Sequence, residues 1–463
     1  MTRLAADWRA LEGAIAGEVV LPGSPEYEAA RKPSIARFHD LRPLAVVRCA
    51  TPEDVAETIS LAGRSGLPTA TRSGGHCFAG WSSTTGVVID VTPMRSVALS
   101  GEVATIGAGA RLGEVYDTLA GSGHTIPAGC GPTVGIAGLT LGGGLGILGR
   151  RHGLTCDHLL QAQVVLADGR VVTCDEHHDE ELFWALRGAG AGNFGVVTSL
   201  VFSTVPAPAA TSFHLVWPHS RAAAVFQAWQ AWGPAGPDEL AASLLVTAPA
   251  DVEGPPTVHV FGAMLGTEAD TAELLDELVA RTGADPASAV RQHLPHRQTK
   301  QYLAEHGPGE ERPLAHAYSK SEFFRRPLPT EAVTALLDGV FKGRVAGESR
   351  ELDLTPWGGA YNRVRPDATA FVHRRELLLL KQAVTLDPDA PADRLQAARH
   401  WLERSWALVH PWGSGGVYPN FPDPDLQDWG RAYYGANLDR LVRAKARYDP
   451  DGFFQFQQSL PGP

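Results

Sequence analysis

Glycine is crowded into two stretches of this chain. Of the 50 glycines in 463 residues, one dense run lies between Gly74 and Gly153, and a second between Gly188 and Gly195. Glycine serves where the backbone must turn through conformations closed to a Cβ, or must come very close to another group. Both stretches are therefore places where the backbone approaches something closely, or turns where a Cβ would clash. No fixed period relates them, so a repeat architecture does not explain the pattern.

At 463 residues the chain is long enough for two or three domains. Hydrophobic residues make up 44 % and charged residues 20 %, a balance that builds a large core and excludes disorder. The formal net charge is −11. An acidic chain without a basic stripe lacks the footprint of a nucleic-acid binder, and anionic membranes repel it. No apolar run reaches the ~18 residues that span a bilayer. The opening segment, MTRLAADWRALEGAIAGEVV, reads as an amphipathic helix carrying acids rather than a signal peptide, which points to the cytoplasm. The cysteines, Cys49, Cys77, Cys130, Cys156 and Cys174, are odd in number and form no C-x-x-C pair. A disulfide framework and a thiolate zinc site are both disfavoured, and no metal is expected.

Up to residue 205 helix and strand signals alternate. Ala45–Arg48 reads as a strand. Thr51-Pro-Glu-Asp opens a helix with Thr51 as N-cap and Pro52 first inside, closing near Gly63–Gly66. Strands are expected from Pro68 to Arg72, at Gly86–Asp90, at Val103–Gly107 and at Gly195–Phe202, with helices at Leu112–Leu119 and Glu180–Arg187. Asp168-Gly169 reads as the tip of a hairpin. The Pro/Ala stretch Thr204–Ala210 marks a boundary. Beyond it, strands at Ser212–Trp217, Val258–Met264 and Ala370–Arg374 alternate with helices at Ala222–Trp232, Thr271–Arg281, Thr330–Leu337 and Ala392–Leu408. The expected division is residues 1–205, a second α+β unit over 206–405, and a segment 406–463 that returns to the first unit.

Four motifs carry candidate chemistry. In Thr71-Arg-Ser-Gly-Gly-His76-Cys-Phe-Ala-Gly80 a strand runs into a glycine-rich turn. Successive N–H groups there make a nest suited to a diphosphate, Arg72 adds charge, and His76 offers a nucleophile or ligand. The bland alternative is a turn with one surface histidine among 17. Pro127–Gly146 holds a G-x-G-x-x-G-like run. A dinucleotide fingerprint needs a strand immediately before it, whereas a Pro/Gly loop precedes this one, so a nicotinamide site is disfavoured. Its glycines imply a flat group against the backbone, or a helix packed tightly on a neighbour. Trp184–Thr198 takes a helix through glycines into a strand, and a Gly-capped turn explains it equally well. The acidic run Asp175–Glu181 sits at a helix start and reads as solvated charge. No P-loop and no G-x-S-x-G is present. Near the end, Gly416-Val-Tyr418-Pro-Asn420 offers a phenol able to take a proton, or a packed aromatic with one hydrogen bond.

In this order and at these spacings, the segments resemble the berberine bridge enzyme-like family of FAD-linked oxidoreductases, within the vanillyl-alcohol-oxidase class of flavoproteins. The similarity covers nearly the whole chain, strongest from Asp40 to Pro206 and from Val417 to Pro461, with Pro356–Ala360 and Thr369–Arg374 between. It implies an α+β, two-domain FAD-binding fold of the vanillyl-alcohol-oxidase type with an α+β substrate domain. The family's R-x-G-G-H segment matches Arg72–His76. By that resemblance His76 carries FAD covalently through the flavin 8α-methyl carbon, and Ser73, Gly74 and Gly75 cradle the diphosphate. P-T-V-G-x-x-G matches Pro132–Gly138. The resemblance also assigns to the FAD site Arg72, Gly80, Gly129, Thr133, Val134, Gly135, Gly138, Leu139, Gly142, Gly143, Gly146, Gly153, Leu154, Thr155, Asp157, Gly192, Asn193, Gly195, Val197, Asn420 and Asn437.

The tyrosine of the family's Y-x-N motif matches Tyr418. It implies a phenol of depressed pKa that takes the substrate's hydroxyl proton while hydride passes to flavin N5. His373, in the expected T-A-F-x-H-R strand, is a second catalytic candidate, or a core or surface histidine. Many members place a cysteine just before the P-T-V-G proline and bond it to flavin C6. That position is Gly131 here, with Cys130 one residue earlier, so a single link through His76 is expected. Val134 leaves more room for dioxygen near flavin C4a than a bulkier aliphatic, which favours an oxidase. The expected activity is oxidation of a hydroxyl, or related C–H, of a small metabolite or sugar, with dioxygen reduced to hydrogen peroxide. The rivals are a dehydrogenase using another acceptor and a flavin-containing binding protein without turnover.

Overall fold

A computed structural model gives the architecture of the chain and describes residues 6–306 and 316–462. The start signal at Thr51 acts through a capping box. The Thr51 hydroxyl accepts from the Asp54 N–H at 3.2 Å, and the Asp54 carboxylate accepts from the Thr51 N–H at 3.2 Å. Pro52 takes the first helical position, and helix Pro52–Ser65 ends at Gly66 in a left-handed turn, φ 61°.

The first part of the chain holds two sheets. One has the order Glu18–Val20, Ala45–Arg48, Val87–Asp90, Thr69–Arg72, with the last three parallel to one another. The other is antiparallel, in the order Val97–Ser100, Val103–Gly107, Val196–Ser203, Leu159–Val165, Val171–Asp175. The last two form the hairpin turning at Asp168-Gly169. Val47, Ile89, Ile106, Leu112, Leu200 and Phe202 belong to one buried cluster, and Leu441, Ala444, Phe454 and Leu460 from the C-terminal segment belong to the same cluster. The end of the chain therefore packs into the core that its beginning builds.

The middle of the chain forms a seven-stranded antiparallel sheet in the order Ser288–Leu294, Ala210–Pro218, Thr257–Met264, Leu240–Ala248, Glu348–Pro356, Leu378–Leu386, His316–Phe324. Burial along Glu348–Pro356 alternates strictly. Leu352, Leu354, Leu380 and Val384 point to one face, where helices Ala222–Trp232, Thr330–Phe341 and Ala392–Val409 cover them. The opposite face carries Glu351, Asp353 and Lys381. A small aromatic cluster of Phe323, Trp357, Tyr361, Phe371 and Tyr418 sits where the two parts meet.

Two expectations about local structure are corrected. The opening segment is not one helix: a helix at Trp8–Ala14 is followed by the strand Glu18–Val20, which pairs with Ala45–Arg48. Residues 1–5 of that expected helix lie outside the described residues. Ala370–Arg374 is irregular rather than a strand. Its N–H groups reach back to another element, Ala370 to Trp184 O at 3.2 Å and Phe371 to Arg187 O at 3.0 Å.

Candidate active site

The strand Thr69–Arg72, the glycine loops, the C-terminal segment and the open face of the seven-stranded sheet enclose a cavity of about 940 Å³. That lies at the upper end of ordinary ligand pockets. Of the residues singled out in the sequence, Arg72, Ser73, Gly74, Gly75, His76, Gly129, Thr133, Val134, Gly135, Gly138, Leu139, Gly192, Asn193, Gly195, Val197, Tyr418 and Asn420 line it. Much of this wall is glycine and alanine, so a flat ring can lie directly against backbone.

Two loops meet backbone to backbone on this wall. A Cβ on Gly74 would stand 2.2 Å from the Gly135 nitrogen, and one on Gly135 would stand 2.2 Å from Ser73 Oγ. That approach brings His76 Nε2 to 3.0 Å from Thr133 Oγ1. Burial, with the Arg111 charge behind it, pushes the His76 imidazole down to about 4. The ring is therefore neutral at pH 7, the form a nucleophile needs.

Tyr418 sits in the same cavity and is 2 % exposed. Its phenol oxygen accepts three hydrogen bonds: Gly144 N–H at 3.0 Å, Leu145 N–H at 3.1 Å and the Asn420 amide at 3.1 Å. Asn420 is itself aimed by a bond to Leu139 O at 2.8 Å. The expected depressed pKa is corrected. Burial outweighs the three donors, and the phenol is pushed up to about 12.

His373, Asn437 and Gly80 do not line the cavity. His373 is buried behind it, stacked on Phe323 with ring centroids 4.6 Å apart, and its Nε2 lies 3.0 Å from Tyr433 O. Burial pushes it down to about 3, so it is a neutral packing group and not a second active-site side chain. Asn437 clamps the Pro366, Thr369 and Ala370 carbonyls. The Arg72 side chain turns away from the cavity, and its guanidinium is spent on the Ala30, Arg31 and Ser82 carbonyls. Gly80, at φ +78°, lies under the Phe38 ring.

Gly142, Gly143, Gly146, Gly153, Leu154, Thr155 and Asp157 form a shelf behind Tyr418 rather than the cavity wall. A Cβ on Gly142 would stand 2.1 Å from Asn420 Oδ1, and one on Gly146 would stand 2.0 Å from Ala128 O. Gly143 packs under Phe371, and Gly153 packs against Asp157. Leu154 joins the aromatic cluster. The Thr155 hydroxyl lies 3.1 Å from Gly144 O, and Asp157 pairs with Arg374.

Several lining residues escaped the sequence reading. Arg111 lies on the His76 side, and Phe421, Ser319, Thr385, Glu351, Asp353 and Lys381 form the roof. Lys381 is directly opposite Asp353 in the sheet register, with its ammonium 3.4 Å from Asp353 and 3.7 Å from Glu351. Behind the wall, Lys445 donates to Asn193 O at 2.7 Å and pairs with Asp449 at 2.6 Å, bracing the 189–193 loop from the C-terminal helix.

Comparison with known proteins places this architecture. Residues 43–175 match the FAD binding domain family, and residues 417–461 match the berberine and berberine-like family. An uncharacterised FAD-linked oxidoreductase of Bacillus subtilis (strain 168), YgaK, is 33 % identical across 96 % of this chain and 97 % of its own. Chitooligosaccharide oxidase of Gibberella zeae is 31 % identical across 90 % of this chain and 87 % of its own. Among solved structures, BBE-like 1 of Physcomitrella patens superposes with a TM-score of 0.88 at 28 % identity, covering 98 % of each chain. The chain belongs to the berberine bridge enzyme-like FAD-linked oxidoreductases, with their α+β fold of an FAD-binding domain and a substrate domain built on a large antiparallel sheet. No helix among the described residues is long and apolar enough to cross a membrane.

Proposed function

We propose that this enzyme is an oxidase carrying its FAD covalently on His76, and that it oxidises a hydroxyl, or related C–H, of a small metabolite or sugar. The observation that carries the reading is that one cavity gathers a neutral imidazole, a glycine-lined wall and a phenol whose oxygen is held by three N–H donors. Bound FAD supplies the two-electron acceptor. Ser73, Gly74, Gly75 and Thr133 hold it from the glycine-loop side, and His76 is the nucleophile for attachment. In its phenolate form Tyr418 Oη accepts the proton of the substrate hydroxyl and becomes neutral, and the Gly144, Leu145 and Asn420 N–H groups stabilise the phenolate before that transfer.

The roof favours a hydroxylated substrate. Lys381, Glu351 and Asp353 place donors and acceptors side by side, with Ser319 and Thr385 beside them and the Phe421 ring below. Val134 is the aliphatic side chain of the wall next to Thr133, and its modest size leaves space for dioxygen. The oxidase named among the relatives supports the same choice of acceptor. Cys130 lines the cavity beside Gly129 and Gly131 and also packs against Leu245, Phe261 and Leu303, so a single flavin link rests on its one-residue offset from Pro132.

The test is direct. Acid precipitation of the purified protein is expected to leave a yellow pellet with the mass of one FAD on the peptide holding His76. A peroxide screen of alcohols and sugars is expected to give a substrate that bleaches the flavin anaerobically. Flavin released wholly into the supernatant refutes covalent attachment, and reduced enzyme that stays bleached in air refutes the oxidase. Cys130→Ala is expected to keep its flavin in the pellet at the wild-type ratio.

A further inference from the structure

The cavity roof has a gap in its sheet register. Asp353 stands directly opposite Lys381, but Glu351, two residues earlier on the same strand, stands opposite Ala383. Ser319 stands opposite Ala383 from the other side. Directly paired residues of an antiparallel sheet share a face, with Cβ atoms about 4.5–5.5 Å apart. The Ala383 methyl therefore floors a slot flanked by the Glu351 carboxylate and the Ser319 hydroxyl. Along the strand the slot is bounded by Lys381 and Thr385, and all of these residues line the cavity. The same strand fixes how far the slot lies from the chemistry. Leu379 belongs to the aromatic cluster that holds Tyr418, and Lys381, Ala383 and Thr385 follow it on one face, about 6.8 Å apart. The Phe421 ring bridges the first step, 5.0 Å from the Tyr418 ring and 5.4 Å from the Lys381 ammonium. A ligand group over Ala383 is thus several bonds away from an atom that touches the Tyr418 oxygen.

Charge at the slot is unbalanced. Lys381 sits between two carboxylates, 3.4 Å from Asp353 and 3.7 Å from Glu351, and the side chains are only 14 %, 12 % and 23 % exposed. Both contacts are longer than a direct charge-assisted hydrogen bond, so the lysine closes neither carboxylate. The lining arginines do not help. Arg111 stands beside His76, and the Arg72 guanidinium is turned onto backbone carbonyls. Burial works to lower the Lys381 pKa, but Asp353 and Glu351 overcome it and raise it, so the ammonium keeps its charge. Burial pushes the Glu351 carboxyl up, against the pull of Lys381 and with a further push from Asp353. Buried charges need partners, and this trio is one positive charge short. We propose that the slot over Ala383 takes the ammonium of the substrate, so that the enzyme acts on a hydroxylated amine whose amine lies several bonds from the hydroxyl that is oxidised. An ammonium has three hydrogens to donate, and Glu351, Ser319 and Thr385 offer oxygens on three sides of the slot. Glu351 is then the residue that determines specificity. The inference rests on the reading of Tyr418 as the group that meets the oxidised hydroxyl.

The experiment titrates the FAD-loaded enzyme, without oxygen at neutral pH, with matched sets of alcohols, and reads binding from the flavin absorbance. The skeletons are a linear hexanol, a benzyl alcohol and glucose. Each carries an amine, a hydroxyl or a carboxylate at the end far from the reacting hydroxyl. In the skeleton that fits best, the amine member is expected to bind about tenfold or more tightly than the neutral one, the scale of one desolvated charge pair, and the carboxylate member most weakly. Glu351→Gln is expected to bring the amine and neutral members to near equality. A neutral or carboxylate member that binds best, or no binding in any set, overturns the proposal. So does a preference for the amine that Glu351→Gln leaves intact. Should the glutamine variant fail to fold, Ala383→Val takes its place with the same expectation, since valine suits a strand and fills the slot. Peroxide formation is then measured with the same sets in air. An amine member that binds best without being oxidised upholds the slot and overturns the oxidase reading, which keeps the two failures apart.

Discussion

Replacement of Tyr418 by phenylalanine is expected to slow reduction of the flavin by substrate about 10²–10⁴-fold while FAD stays bound. The loss comes from one atom. The Tyr418 oxygen accepts from Gly144, Leu145 and Asn420, an arrangement that favours the phenolate, yet burial wins and the phenol is pushed up to about 12. Through the neutral range the group is therefore protonated. Its phenolate fraction grows tenfold per pH unit below that value. A base of this kind predicts a wild-type rate that climbs steadily from pH 6 to 9, and a Tyr418→Phe rate without that slope. The same change strands the three donors, at about 1–3 kcal/mol for a buried unsatisfied group. Denaturant unfolding run in parallel separates that cost from the kinetic one. Stopped-flow reduction at the wild-type rate in the phenylalanine variant would remove Tyr418 from the chemistry.

The glycine loops and the strands around them were legible because their signals are local. Thr51-Pro52 and Gly66 set one helix by capping alone, Gly74 and Gly135 mark a close approach that a Cβ would block, and Gly75 holds a positive φ of 74°. The R-x-G-G-H and Y-x-N segments could be matched in words, so His76 and Tyr418 were found before any geometry. The failures share one cause: a sequence match says which residues keep company, not which side of a wall they face. Gly142, Gly146 and Asp157 belong to the shelf that holds Tyr418, Asn437 is spent on the Pro366, Thr369 and Ala370 carbonyls, and His373 is stacked on Phe323. The roof was invisible for the opposite reason. Toward the end of strand Glu348–Pro356, Glu351 and Asp353 alternate with buried Leu352 and Leu354, a pattern that ordinarily means a solvent face. Here that face is covered by the first part of the chain, and Glu351 and Asp353 end up in the cavity. Burial also sets the Tyr418 pKa against its hydrogen bonds, a competition that a motif does not carry.

Asp157→Ala is expected to be the most damaging single change to stability, because it abandons a fully buried cation. Arg374 has no exposed side-chain surface, and it meets Asp157 through two bonds, Nη1 to Oδ2 at 2.9 Å and Nη2 to Oδ1 at 2.6 Å. Its remaining partners, the Phe371 and Tyr361 carbonyls at 3.3 Å and the Thr369 hydroxyl at 3.1 Å, are neutral. Removing one partner of a buried pair costs about 3–5 kcal/mol, most of it the price of the charge left behind. For a chain of this size that is a fall in Tm of about 3–5 °C, read by calorimetry. The double replacement Asp157→Leu with Arg374→Met is expected to cost less than Asp157→Ala, since no charge remains to be stranded. A double variant that loses the sum of both single losses would show the pair acting as two independent contacts. The damage should also reach the active site. Arg374 anchors the irregular segment that carries Phe371, which packs on Gly143 and stands 6.0 Å from the Tyr418 ring. Loosening that segment frees the Gly144 and Leu145 N–H groups from their register with the phenol oxygen. The surviving Asp157→Ala enzyme should then show a lowered rate of flavin reduction with FAD still attached, the signature of Tyr418 out of place.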